Sequence, residues 1–266
     1  MNAKEHKAAA NSLFKAEQSC TQTGLLSLQY KDMSMDDAYA VQSALVDLKI
    51  ADGLEVRGYK IGLTSRAMQD ALKIDIPDSG ILFDNMFFEN GATVPVDRFI
   101  QPRIEAEIAF VFKQDLTGNN ITLFDVLNAT DYISPALEIL DTRILRVDPD
   151  TGTTRNVCDT IADNAANAGI VLGGRACRPN DIDLRWAGAI VSRNAVVEET
   201  GLGAGVLNHP AQGIVWLANR LAQYDQSIKK GQVVISGSFI RPIEAMHGST
   251  ISADFGPLGT VSVFFE

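Results

Sequence analysis

Glu105 and Glu107 stand two residues apart in IEAEIAFVF, a run of strand-forming residues. Side chains alternate with a period of two along a strand, so both carboxylates project from one face. On an apolar strand such a pair is costly, through mutual repulsion and desolvation, unless a cation neutralises it. The run IAFVF directly downstream carries the strand toward the interior. Glu138 has a comparable apolar setting, PALEILD, on a second strand. Three carboxylates with coordination positions left open suit Mg²⁺ or Mn²⁺, hard ions that prefer oxygen ligands in octahedral geometry. The competing reading is structural, since alternating charges also mark the solvent face of an edge strand. Zinc fits poorly: His6, His209 and His247 make no ligand pair, and Cys20, Cys158 and Cys177 make no cluster.

Lys60 lies in RGYKIGLTS, an otherwise apolar strand, where it either snorkels to the surface or points inward as a cation for an anionic substrate. Asp78, in IPDSG, has the position of an ordinary turn residue. Ser236, Gly237 and Ser238 read equally as a bulge closing a strand and as a small-residue wall against a ligand. Nucleophilic catalysis finds no GxSxG and no Cys beside a His, and the glycines of GLGAGVLNHP do not form a dinucleotide-binding turn. Trp216 and Leu217, in QGIVWLANRLAQY, fall at helical spacing and belong to a core face.

The elements that must position these groups are mostly strands. Residues 1–20 form a helix, and a second opens at Ser34 with an acidic capping box and ends at Gly53, giving an amino-terminal helical region over residues 1–55. From Val56 onward, over residues 56–266, the texture is β: VRGYKIGL, IEAEIAFVF, SPALEILD, GIVLGG, GAIVSRN, AVVEET, GQVVISGSF and GTVSVFFE. A short helix is expected in SRAMQDAL, a turn at PDSG, and further helices at LFDVLNA and from Ala211 to Tyr224. No linker, repeat or low-complexity tract divides this body, so the chain is expected to be one compact unit.

Hydrophobic residues make up 46% of the 266, ample for a substantial core. The net charge of −10 repels phosphate backbones and anionic lipid, which excludes nucleic acid and membrane surfaces as natural partners. It also means that an anionic substrate needs local positive charge, from a bound cation or from Lys and Arg. Three scattered cysteines read as reduced thiols, and neither a signal peptide nor a transmembrane run is present, which points to the cytoplasm.

Taken together and in this order, RGYKIGLTS, PDSG, PRIEAEIAF, PALEILDTR, DTIADNAANAGIVLGG, NHPAQGIVWLANRLA and VVISGSFIRPI resemble the hydratase and decarboxylase branch of the fumarylacetoacetate hydrolase superfamily, from about residue 34 to the carboxyl terminus. Shorter runs, among them RFIQPRIEAE, TLFDVLNATDYISPALE and VLNHPA, resemble the members of that branch that act on a seven-carbon 2-oxo diacid in aromatic-compound catabolism. The resemblance implies an α+β fold, a mixed β-roll core with amino-terminal and peripheral helices, assembled as a homo-oligomer. It implies Mg²⁺ or Mn²⁺ held by Glu105, Glu107 and Glu138, with Lys60 and Asp78 as catalytic groups and Gly237 and Ser238 in the substrate loop. The segment MHG departs from the family pattern, and no role is carried onto His247.

The chemistry so implied is addition of water to an unsaturated 2-oxo acid. Decarboxylation of a related diacid, hydration of a five-carbon monoacid, hydrolysis of a C–C bond and metal binding without catalysis are the alternatives. Hydrolysis of a C–C bond calls for a His-acid pair that three isolated histidines do not supply. A diacid would bring a second carboxylate needing a partner, for which Arg143, Arg155 and Arg241 are candidates.

Overall fold

The computed structural model describes residues 1–65, 69, 74 and 76–266. The helix expected in SRAMQDAL lies almost wholly outside the described residues. In chain order the main elements are α1 (Ala3–Gln18), α2 (Leu26–Gln29), α3 (Met35–Ala51), β1 (Val56–Gly62), β2 (Asp78–Phe83), β3 (Phe87–Glu89), β4 (Thr93–Val94) and β5 (Arg103–Phe112). There follow α4 (Leu123–Ala129), β6 (Thr130–Leu140), α5 (Val157–Ala162), β7 (Asn167–Leu172), β8 (Gly188–Arg193), β9 (Val196–Leu202), α6 (Ala211–Ala222), β10 (Val233–Ile235), β11 (Ile243–Glu244), β12 (Ser249–Asp254) and β13 (Thr260–Phe265).

Helix starts follow local chemistry. Ser34 caps α3, accepting from the Asp37 N–H while the Asp37 carboxylate reaches back to the Ser34 N–H. The same reciprocal arrangement opens α1 at Asn2 and Glu5, α4 at Thr122 and Asp125, and α5 at Asn156 and Asp159.

Among the described residues, an eight-stranded mixed sheet runs β2-β1-β10-β5-β6-β7-β3 with β11 also on β5, and a five-stranded sheet runs β4-β13-β12-β8-β9. The principal core lies between them. Ile104, Ile108 and Phe110 of β5 and Leu137 and Ile139 of β6 pack with Ile251, Val261 and Val263 of the second sheet and with Ile214 and Leu217 of α6. A second cluster joins Leu13 of α1 and Val41 and Leu45 of α3 to Ile161 of α5. Gln42 ties this helical layer to the sheet, donating to the carbonyls of Ser79 at 2.8 Å and Ile161 at 2.9 Å.

Two segments differ from expectation. PDSG is not a turn: Asp78, Ser79 and Gly80 are strand residues of β2, with Asp78 in register with Gly62 and Gly80 with Lys60. Tertiary pairing overrides the turn preference of Pro-Asp-Ser-Gly, and Asp78 is only 2% exposed. GQVVISGSF is strand only over Val233–Ile235. Gly237 adopts φ +105°, a left-handed conformation open to glycine, and a Cβ there would collide with Thr64, so the ladder breaks at that point.

Candidate metal centre and active site

Strand β5 is interior, between β10 and β6, which removes the edge-strand reading of its two glutamates. Glu105 and Glu107 share a face, and Glu105 stands directly across from Glu138 of β6. One carboxylate oxygen from each of Glu105, Glu107 and Glu138 lies within 4.8 Å of the others. Glu107 and Glu138 are fully buried, while Glu105 keeps partial exposure and marks the side on which the site meets solvent.

Lys60 does not snorkel. It is 3% exposed, and its Nζ sits 3.4 Å from Glu138 Oε1 and donates to the Ala165 carbonyl at 3.1 Å. Asp78 completes the group from the neighbouring strand: a Cβ placed on Gly62 would collide with Asp78 Oδ1 and stand 3.0 Å from Lys60 Nζ. Glycine at this position leaves room for the acid and the ammonium on one side of the sheet.

Among the described residues the charges do not balance. Burial disfavours the Lys60 ammonium, but Glu138, Asp78, Glu105 and Glu107 together overcome it and hold its pKa above the usual lysine value. The acids move the other way. Burial, then the charge of Glu138, pushes Glu105 up to about 8, and the same two causes hold Glu107 well above the usual carboxylate range. Burial raises Glu138 as well, against the pull of Lys60. Asp78 is also raised by burial, with Lys60 pulling it back. Among the described residues, the Lys60 ammonium cannot alone neutralise the buried Glu107, Glu138 and Asp78 together with the half-buried Glu105, so the site either retains protons or takes a cation.

The pattern of satisfied and orphaned atoms favours the cation. Glu107 Oε2 accepts from the Gly237 N–H at 2.7 Å, and Glu138 Oε1 accepts from Asn167 Nδ2 at 2.8 Å. The other oxygens, Glu107 Oε1 and Glu138 Oε2, are buried without a donor among the described residues, as are Asp78 Oδ1 and Asn167 Oδ1. Two carboxylates each held by one oxygen and open at the other, beside a third, make a donor set that fits a hard divalent ion.

The remaining expected residues fall as follows. Gly237 meets Glu107 through its backbone, whereas the Ser238 hydroxyl is engaged by Ile240, donating to its carbonyl at 2.8 Å and accepting from its N–H at 3.1 Å. None of the three arginine candidates is a free guanidinium facing the carboxylates. Arg143 is buried in a 2.6 Å pair with Asp163, Arg155 donates to Thr142 Oγ1, and the 83% exposed Arg241 side chain pairs with Glu199. Their sequence positions carry no sign of these partners, which lie on other elements. His6 pairs with Asp37, His209 takes the Ala211 N–H, and His247 bonds the Glu266 carbonyl, so the histidines stay apart. Leu217 is core, and Trp216 is partly buried against the same cluster. Asn167 and the Ala165 carbonyl join the site although no sequence motif singles them out. The available signal was a polar residue in DNAANAGIVL placed at the mouth of an apolar strand, which is costly to bury without a task.

No family model matches the chain. Over its whole length it superposes on 4-oxalocrotonate decarboxylase from Pseudomonas putida G7, solved complexed with magnesium and adipate, with a TM-score of 0.93 and 32% identity across 99% of that chain. Together with the curated relatives that follow, this places the chain in the family that unites 2-oxo acid hydratases with 4-oxalocrotonate decarboxylase, and it belongs to that family. It is 53% identical to 2-oxo-hept-4-ene-1,7-dioate hydratase of Escherichia coli over 98% of this chain and 97% of that protein. It is 36% identical to 2-keto-4-pentenoate hydratase of Paraburkholderia xenovorans strain LB400 over 100% of this chain and 97% of that one.

Proposed function

We propose that this member of the hydratase family adds water to 2-oxo-hept-4-ene-1,7-dioate to give 4-hydroxy-2-oxoheptanedioate, with Mg²⁺ or Mn²⁺ held by Glu105, Glu107 and Glu138. The observation that carries the reading is the trio of clustered carboxylates with two orphaned oxygens beside a buried lysine. Identity of 53% to a curated hydratase supports water addition over decarboxylation.

A divalent ion bound there supplies Lewis-acid polarisation of the 2-oxo group and offsets the substrate carboxylate in a protein of net charge −10. The rest falls to the chain's own side chains. A proton leaves C3 and one returns at C5, which moves the double bond into conjugation with the 2-oxo group. Water then adds its oxygen at C4 while C3 takes up a proton, so the net change is one water gained. Lys60, held charged, stabilises negative charge as it develops on the C2 oxygen. Asp78, raised by burial and open at Oδ1, holds and releases the moving proton. Gly237 fixes Glu107 through its N–H, and Gly237 and Ser238 form the substrate loop.

The chain is further proposed to act in the cytoplasm as a homo-oligomer, with residues 1–55 packed on a catalytic β-roll over 56–266 as one unit. Among the described residues no helix is long and apolar enough to cross a membrane. Exposed Trp186, Ile190 and Leu202 supply apolar surface of the kind an assembly covers.

The test is a panel of five-, six- and seven-carbon unsaturated 2-oxo acids with Mg²⁺, followed by loss of conjugated-dienoate absorbance and by CO₂ release. Consumption of the seven-carbon diacid without CO₂ is expected. Release of CO₂ from a six-carbon diacid would move the protein to the decarboxylases, and preference for the five-carbon acid would move it to the monoacid hydratases.

A further inference from the structure

The loop between α5 and β7 is clasped at both ends by one side chain. Arg143 donates through Nε to Asp163 Oδ1 at 2.6 Å, through Nη2 to the Asp163 carbonyl at 2.7 Å and through Nη1 to the Asn167 carbonyl at 3.1 Å. Its own N–H donates to Asp163 Oδ2 at 2.9 Å. Arginine's rigid fork can span such a set where lysine's single ammonium cannot. Between the clasped ends Asn164, Ala165 and Ala166 take φ of +52°, +52° and +57°. Alanine avoids this region, so the surroundings impose the conformation.

Asn164 helps to impose it. Its side-chain amide accepts from the Ile81 N–H at 2.8 Å and donates to the Ile81 carbonyl at 2.9 Å, serving as a surrogate strand along the free edge of β2. The outcome is that one short loop delivers two groups to the site. The Ala165 carbonyl meets Lys60 Nζ, and Asn167 Nδ2 meets Glu138 Oε1. The Asn167 amide has one sensible orientation, because turning its oxygen to the carboxylate would set two acceptors against each other. Its Oδ1 is therefore the buried atom left without a donor.

Glu107 is treated in the same way by a different element. Each fully buried glutamate has one oxygen tied to a protein N–H and the other open. We propose that Asn167, held by the Arg143–Asp163 clasp, is a positioning residue of the metal centre: it orients Glu138 so that Oε2 faces the cation, and its own Oδ1 accepts a hydrogen bond from a water at the site. This rests on the reading that the three glutamates hold a divalent ion. Partners of this kind behind a ligand set its direction, and their loss typically weakens metal binding about 10- to 100-fold.

The experiment is calorimetric titration of the metal-free protein with Mg²⁺, for the wild type, Asn167→Ala and Asn167→Ser, alongside thermal melting of each before metal is added. Asn167→Ala is expected to raise the Mg²⁺ dissociation constant about 10- to 100-fold while still melting cooperatively without metal, and Asn167→Ser to recover part of the loss. A role confined to packing would lower the metal-free melting temperature and leave the affinity unchanged, and that result overturns the proposal. If Asn167→Ala does not fold, Asn167→Ser carries the test alone, and wild-type affinity in it is equally contrary. A wild type that binds no Mg²⁺ removes the metal reading itself, an outcome distinguishable because no substrate is involved.

Discussion

The two faces of β5 obey different rules. On one, Ile104, Ala106, Ile108 and Phe110 are fully buried between the sheets, where burying each large apolar side chain contributes about 1.5–3 kcal/mol. On the other, Glu105 and Glu107 bring charge into the interior, where an uncompensated carboxylate costs several kcal/mol even after relaxation. One face holds the strand in place, and the other spends that stability on an arrangement that would not persist alone. Carboxylates this close repel each other, so holding them together needs a rigid strand.

Substitutions on the two faces should separate activity from stability. The largest effect on activity is expected from Glu107→Gln, which keeps shape but removes one carboxylate charge of the proposed metal site. The kcat/KM with the seven-carbon diacid should fall about 10³-fold or more. Meanwhile the metal-free protein should melt no lower than wild type near neutral pH. The sign follows from the raised pKa values: a carboxylate that prefers its proton in the fold makes the fold less stable as pH climbs from the ordinary carboxylate range through the raised value, and Gln carries no such liability.

Lys60→Ala should be next, lowering turnover by about 10²- to 10⁴-fold if Lys60 acts on developing charge. Mg²⁺ affinity should hold or tighten, since an ammonium 3.4 Å from Glu138 competes with the ion. Equal loss of metal binding and turnover would instead make Lys60 a structural partner of the glutamates. The smallest effect on activity is expected from the opposite face. Phe110→Ala should cost about 3–5 kcal/mol of stability, measured by denaturant unfolding, while folded enzyme keeps near-normal turnover. A large loss of turnover in folded Phe110→Ala would dissolve the distinction between the faces.

Much of this arrangement is legible in the chain itself. The spacing of Glu105 and Glu107 places them on one face by strand geometry alone, and Ser34 with Asp37 announces a helix start through local hydrogen bonding. What local chemistry does not encode is pairing with distant segments. Asp78 looks like a turn residue until β1 claims it, and Arg143 looks like a free cation until Asp163 does. Two alanines in left-handed geometry have no local signature at all, because the clasp and Asn164 impose it from outside. Consequently the three glutamates are readable in the sequence, and the groups packed behind them are not.

The central claim is that three glutamates form one cation site in this fold, and titration of metal-free protein with Mg²⁺ or Mn²⁺ near pH 6 and pH 8 addresses it most directly. Because burial raises Glu105 to about 8 and lifts Glu107 and Glu138 in the same direction, the site holds protons at the lower pH that an incoming ion must displace. The account predicts one ion per chain, tighter binding near pH 8, and proton release near pH 6 seen as heat that varies with the buffer. Binding that is absent, independent of pH, or unchanged in Glu107→Gln would contradict it.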